Sequence, residues 1–324
     1  MVMLTHSAIY LEKTYGYQNI RLFFNDYWSY FGVIIFFCIS GFLLTSLTAV
    51  TSWRVFIVHR IARIFPTYLI ALALALAAYT VRDGVFPEVD WRIALLVPIG
   101  PAAFRPLYVE WTLVYEVAFY ALMTFFCVAS LRRWLTAFLV LWFVVLAFLF
   151  VSGRIPSGIL PTASDIYLDA WNIGFIFGGY AWLLQRSGYT GRWGGWVGVA
   201  LILSCTILGE ATGVLAPAGV ALILANLVQR DREGRIIFRS GVLETLGNWS
   251  YAIYLTHVPV FLLLYPLLKG GGLPPLLAWF CGIGVVLTIG GALGQLDVAL
   301  YRKLKRKIDF AFSRELSLAA ASRN

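Results

Sequence analysis

Apolar residues run through this chain in stretches of about 17 to 25, the length a helix needs to cross a hydrocarbon core roughly 30 Å thick. Nine such stretches, at approximately 28–50, 64–82, 108–130, 134–153, 166–186, 193–209, 213–229, 247–268 and 275–301, predict nine spanning helices. A tenth, from Met1 to about Thr14, has helical apolar character but is too short to span, and is expected to be a truncated first helix inside which the chain starts. Pro98, Gly100 and Pro101 interrupt the weakly apolar stretch 92–104, which is expected to form a loop or a short re-entrant piece. The predicted fold class is therefore all-α, a polytopic membrane helical bundle of about ten transmembrane helices. Residues 1–301 form its integral-membrane domain and 302–324 a short basic cytoplasmic tail, with no soluble domain expected after it.

Composition agrees with this pattern. Hydrophobic residues make up 60% of the 324 and charged residues 13%, against roughly 45–50% and 25% in soluble globular proteins. Such a chain is not disordered, not a disulfide scaffold and not a soluble nucleic-acid binder. Its net charge of +9 follows from topology. One set of loops holds Arg54, Arg60, Arg63, Arg132, Arg133, Arg186, Arg192, Arg230, Arg232, Arg235 and Arg239, and the tail adds Arg302, Lys303, Lys305, Arg306, Lys307, Arg314 and Arg323. The opposite loops hold Lys13, Arg21, Arg82, Arg92, Arg105, Arg154 and Lys269. The positive-inside rule places both termini in the cytoplasm, and anionic headgroups account for the excess charge without a nucleic-acid partner.

Some chemistries lack support. Cys38, Cys127, Cys205 and Cys281 fall on four different predicted helices and read as packing residues. The sequence contains no Walker loop, no dinucleotide fingerprint and no histidine pair at helical spacing, and no metal site is expected. Nor does the N-terminus have the ordered parts of a cleavable signal peptide.

An ionisable side chain at the centre of a span costs roughly 2.5–3.5 kcal/mol on insertion scales, so each one there is a functional candidate. His6, Glu116, His257 and Asp297 are the main ones. His6 is either a base near neutral pH or a histidine satisfied by a neighbouring hydroxyl. Glu116 is either a working carboxyl or half of a buried ion pair. Tyr251, Tyr254 and His257 recur every three residues, which stacks their polar tips on one helix face; Pro259 then offers to kink the helix and free carbonyls. At the cytoplasmic boundary Arg60 and Arg63 share a face, suited to a phosphate or to anchoring. Ser40 and Gly41 make a small notch in a bulky helix, read as close packing.

The segments FFCISGFLL, RIARIFPTY, WTLVYEVAFY and SYAIYLTHVPV, in this order along the spans, resemble the membrane-bound acyltransferase-3 family of bacterial O-acyltransferases. The resemblance covers nearly the whole chain. It implies transfer of an acyl group, acetyl in the first instance, from cytoplasmic acyl-CoA to a hydroxyl of a cell-surface or exported glycan, in the bacterial cytoplasmic (inner) membrane. No cofactor is held permanently; acyl-CoA is the donor substrate. His6 matches the histidine of the family's first helix, implied to be catalytic, with Glu116 or another polar group orienting it. Arg60 and Arg63 match the paired arginines implied to meet the CoA phosphates. Ser40 and Gly41, Trp111 and Glu116, and Tyr251 and His257 match three further motifs, with packing the favoured role for Ser40, Gly41 and Trp111.

Two departures stand out. The family carries an arginine about three turns before the histidine of helix 1, and its last helix ends in Glu and Pro where this chain has Asp297 and Ala299. A proton-coupled transporter and an inactive remnant lacking part of helix 1 remain as alternatives, although no internal repeat supports the first. The acceptor, a glycan or lipid-linked saccharide, is expected to meet the outer loops 13–28 and 82–107, or a separate periplasmic partner. Trp91, Phe104 and Tyr108 there either stack on sugars or anchor in the interface.

Overall fold

The computed structural model describes residues 1–102, 104–156, 158–188, 193–208, 213–235 and 240–321. Arg192, Arg239 and Arg323, the far end of the 193–209 stretch and Ala103 in the 92–104 piece lie outside the described residues. Among the described residues the structure is helical, with one isolated bridge between Ile99 and Thr162 and no strand. The helices are α1 (Val2–Tyr15), α2 (Asn19–Phe23), α3 (Asp26–Thr48), α4 (Trp53–Asp83), α5 (Trp111–Phe126), α6 (Ala129–Arg132), α7 (Leu135–Val151), α8 (Asn172–Arg186), α9 (Gly194–Leu208), α10 (Leu215–Arg232), α11 (Gly241–Gly270) and α12 (Pro275–Ala321).

Each stretch read from the sequence corresponds to a helix, but four helices are long and apolar enough to cross a membrane: α3, α4, α11 and α12. Helices α5 and α7 to α10 have 15 to 18 residues, or about 22–27 Å of axis, short of a full hydrocarbon core. These four long helices do not establish ten crossings. The boundaries also move. Helix α4 starts eleven residues before the predicted stretch and so carries His59, Arg60 and Arg63 within it. Helix α12 continues past Tyr301 through the basic tail. The segment 166–171 stays outside α8, where Asp169 accepts from the Trp171 amide.

Helices pair closely where glycines remove side-chain bulk. Gly41 of α3 lies against the Phe175 carbonyl of α8, and Gly178 of α8 against the Cys38 carbonyl of α3; a Cβ at either would collide with backbone. Helix α11 likewise packs along α12. The connection between α4 and α5 holds two short 3₁₀ turns, Trp91–Leu95 and Gly100–Ala102, and folds back into the bundle. Its Ile93 and Leu96 are buried, and the Ile93 carbonyl accepts from Tyr68, midway along α4. Its described residues form a folded connection and not a spanning helix.

Candidate active site

Three helices meet around α11 because its polar tips, three residues apart, each reach a different neighbour. The Tyr251 hydroxyl donates to the Ile64 carbonyl of α4 at 2.9 Å. Tyr254 lies 2.8 Å from Thr112 Oγ1 of α5 and donates to the Val109 carbonyl at 3.0 Å. His257 Nε2 lies 2.8 Å from Nδ1 of His6 on α1. The shared face read from the spacing is thereby used to tie α4, α5 and α1 to one helix.

The histidine pair has a defined hydrogen-bond order. His257 Nδ1 sits 2.7 Å from the Tyr254 carbonyl, which only accepts, so Nδ1 carries the proton. With both rings neutral, His257 Nε2 accepts and His6 Nδ1 donates. His6 Nε2, at the far edge of the ring, is left with its lone pair. The rings are 10° from parallel with centroids 5.1 Å apart; together with the short N···N distance this is an in-plane hydrogen bond, not face-to-face stacking. His257 is fully buried and His6 half-buried. The carbonyl that His257 uses belongs to Tyr254, whereas Pro259 frees that of Leu255.

Glu116 lies in a different group. Ser40 and Tyr120 turn their hydroxyls toward its carboxyl, and the Arg60 guanidinium acts on it electrostatically. Its Oε2 has no hydrogen-bond partner. Of the two groups considered for holding the His6 imidazole, it is the other polar group, His257, that lies against it, while Glu116 faces Ser40 and Tyr120. Ser40 also does more than pack, since its hydroxyl meets this carboxyl. Tyr120, which the sequence reading passed over, follows Glu116 by four residues, and that spacing on one face was the available signal.

Arg63 is also engaged. Its Nη1 lies 2.5 Å from Asp297 Oδ2 on α12, and the Thr67 hydroxyl donates to the other Asp297 oxygen at 2.6 Å. Tyr251 and Tyr301 flank the guanidinium with ring centroids at 5.5 and 5.4 Å. Asp297, 2% exposed, is thus a buried carboxylate met by a guanidinium and a hydroxyl. Arg60, one turn earlier, has a buried Nε without a partner and faces a cavity of about 250 Å³ lined by Leu47, Thr51, Phe56, His59, Tyr301 and Lys305 among others. Trp111 stands apart from both groups: its ring meets Trp171 and Tyr115, in keeping with packing.

At the N-cap position of α5, Glu110 has both carboxylate oxygens buried and without hydrogen-bond partners. Phe104 and Tyr108 are partly exposed beside it, and Trp91 is 70% exposed. Among the described residues no cluster of side chains suits a metal ion.

A helical membrane protein with a hydrogen-bonded histidine pair between two helices and, in a separate group, two arginines beside buried carboxyls is the class these features define. Residues 1–294 match the acyltransferase-3 family, described as an acyltransferase domain. The chain is also similar to acyltransferase MdmB from Streptomyces mycarofaciens, 28% identical over 279 residues that cover 70% of this chain and 67% of the relative. No solved structure matches it. The chain belongs to the acyltransferase-3 family and is an enzyme, an O-acyltransferase. Membership removes the transporter alternative.

Proposed function

We propose that this enzyme moves an acyl group, acetyl in the first instance, from cytoplasmic acyl-CoA to a hydroxyl of an exported or cell-surface glycan. It works in the bacterial cytoplasmic membrane, with its ten longer helices crossing and both termini in the cytoplasm. The observation that carries this reading is the relay from the Tyr254 carbonyl through His257 to His6, which leaves Nε2 of His6 as a base.

In the proposed reaction His6 Nε2 takes the proton of the acceptor hydroxyl while its oxygen attacks the thioester carbonyl. The C–S bond then breaks, the new ester stays on the acceptor, and the CoA sulfur leaves with the proton returned from His6. His257 holds the imidazole and shares the positive charge as it forms. Arg60 receives a donor phosphate, held in place by Glu116 behind it. Arg63, already bound to Asp297, fixes α4 against α12 and supports Arg60 from one turn away. Six residues of α11 separate Tyr251 beside Arg63 from His257, about 9 Å along the axis, so donor and base occupy successive levels of one cleft. Glu110, Phe104 and Tyr108 face the acceptor side.

The test is transfer of radiolabel from acetyl-CoA in membranes carrying the intact chain, a His6→Ala chain or neither, with glycan and lipid-linked pools separated. Label in those pools only with the intact chain is the expected result. No label with any acyl-CoA tried, from a properly inserted protein, would overturn this reading of donor and acceptor.

A further inference from the structure

Asp297, Tyr301, Lys305 and Asp309 recur every four residues along α12 and share the face turned to α4. Three of them meet a partner there. Asp297 binds Arg63 and Thr67, Tyr301 lies against Arg63, and Asp309 Oδ1 sits 3.0 Å from His59 Nε2. Lys305 instead faces the cavity that Arg60 faces, and the cavity lining contains no carboxylate. Two cations thus converge on one space between two neutralised contacts, with the Arg60 Nε and His59 Nδ1 both buried and unpartnered at its wall. Glu116 answers the Arg60 charge from outside the cavity, so the cavity itself presents a guanidinium with an ammonium, the donor set that a phosphate takes.

We propose that this cavity is a phosphate-binding site built jointly by α4 and the cytoplasmic extension of α12, with Lys305 as its second cation and the His59–Asp309 contact as the latch that holds Lys305 over it. The basic tail is then part of the enzyme's binding surface as well as a membrane anchor. The proposal rests on the donor reading above for its first candidate ligand, the 3′-phosphate of CoA. A phospholipid headgroup offers the same chemistry from the cytoplasmic leaflet.

The experiment is calorimetric titration of the detergent-solubilised full chain with CoA, with dephospho-CoA, which lacks the 3′-phosphate, and with a short-chain phosphatidic acid. Intact protein is compared with Lys305→Gln, Lys305→Arg and Lys303→Gln, the last removing the same charge from another face. The expected result is about tenfold weaker CoA binding for Lys305→Gln, near-intact binding for Lys305→Arg and Lys303→Gln, and no effect of Lys305→Gln on dephospho-CoA. The same pattern confined to phosphatidic acid supports the site with lipid as its source. Equal losses in Lys305→Gln and Lys303→Gln, no loss in either, or no binding of CoA or phosphatidic acid by the intact chain would overturn it. Intact chain that binds CoA by this pattern yet transfers no acyl group refutes the proposed function and leaves the site standing.

Discussion

His6 and His257 share a 2.8 Å ring-to-ring hydrogen bond between helices 251 residues apart in sequence, and the Tyr254 carbonyl fixes its direction. A base whose tautomer is set this way needs no carboxylate beside it. Replacing His257 by Ala removes the acceptor that holds the His6 proton on Nδ1 and lets the ring rotate. On the proposed mechanism kcat falls by about 10²–10⁴, while the KM for acetyl-CoA stays close to that of the intact enzyme. Steady-state transfer rates with varied acetyl-CoA read the two apart; a change confined to KM would assign His257 to donor binding instead.

The Arg63–Asp297 pair gives a second prediction, because its two roles differ in what removal leaves behind. Arg63→Ala strands Asp297 as a carboxylate that is 2% exposed, keeping only the Thr67 hydroxyl. Breaking one side of a buried pair costs roughly 3–5 kcal/mol, whereas replacing both by apolar residues is often near neutral. Arg63 is about one-third exposed, so the lower end is expected here. The expected outcome is that Arg63→Met paired with Asp297→Leu melts above Arg63→Ala alone. Thermal melts of the detergent-solubilised variants decide it, and additive losses in the double variant would argue that Arg63 serves the donor rather than the fold.

Close approach of α3 and α8 rests on two missing side chains. A Cβ at Gly41 meets the Phe175 carbonyl, and one at Gly178 meets the Cys38 carbonyl, neither of which is a flexible side chain that swings away. Gly41→Ala is therefore expected to cost about 1–3 kcal/mol. It would also shift Ser40, the neighbour that faces Glu116. Gly16→Ala, at a helix end with open space around it but a φ of 71°, provides a contrast that strains backbone without touching this seam. Melting temperature and acyl transfer should fall together in Gly41→Ala.

Much of the fold was legible because apolar run length is a direct record of helices in lipid. The ends were not. The start of α4 and the extension of α12 are too polar to register as spans, yet His59 with Asp309 pairs those polar turns with each other, and Arg63 reaches Asp297 near the end of the last apolar stretch. For the site, the three-residue spacing of Tyr251, Tyr254 and His257 revealed their common face, but which helices that face meets depends on packing over long sequence separations. Whether Glu116 or another polar group meets His6 was open in the sequence for the same reason. The spacing of Glu116 to Tyr120 was readable, while its distance from helix α1 was not. Lys305 was hidden among the seven basic residues of the tail, and the four-residue recurrence with Asp297, Tyr301 and Asp309 separates it from the others.

Tyr108 adopts a φ of 62°, in the left-handed region that bulky side chains rarely enter, two residues before the buried Glu110. Holding such a residue there costs on the order of 1–2 kcal/mol, and strain of this kind collects where a surface serves a ligand. Its ring is 45% exposed and edge-on to Phe104, so it adds little to the core. Tyr108→Gly should relieve the backbone and keep the melting temperature at or above that of the intact enzyme. If the ring stacks on the acceptor, the same change raises the acceptor KM several-fold and leaves the KM for acetyl-CoA alone. A melting temperature well below the original, with acceptor kinetics unaltered, would mean that Tyr108 shapes the outer loop and that the acceptor binds elsewhere.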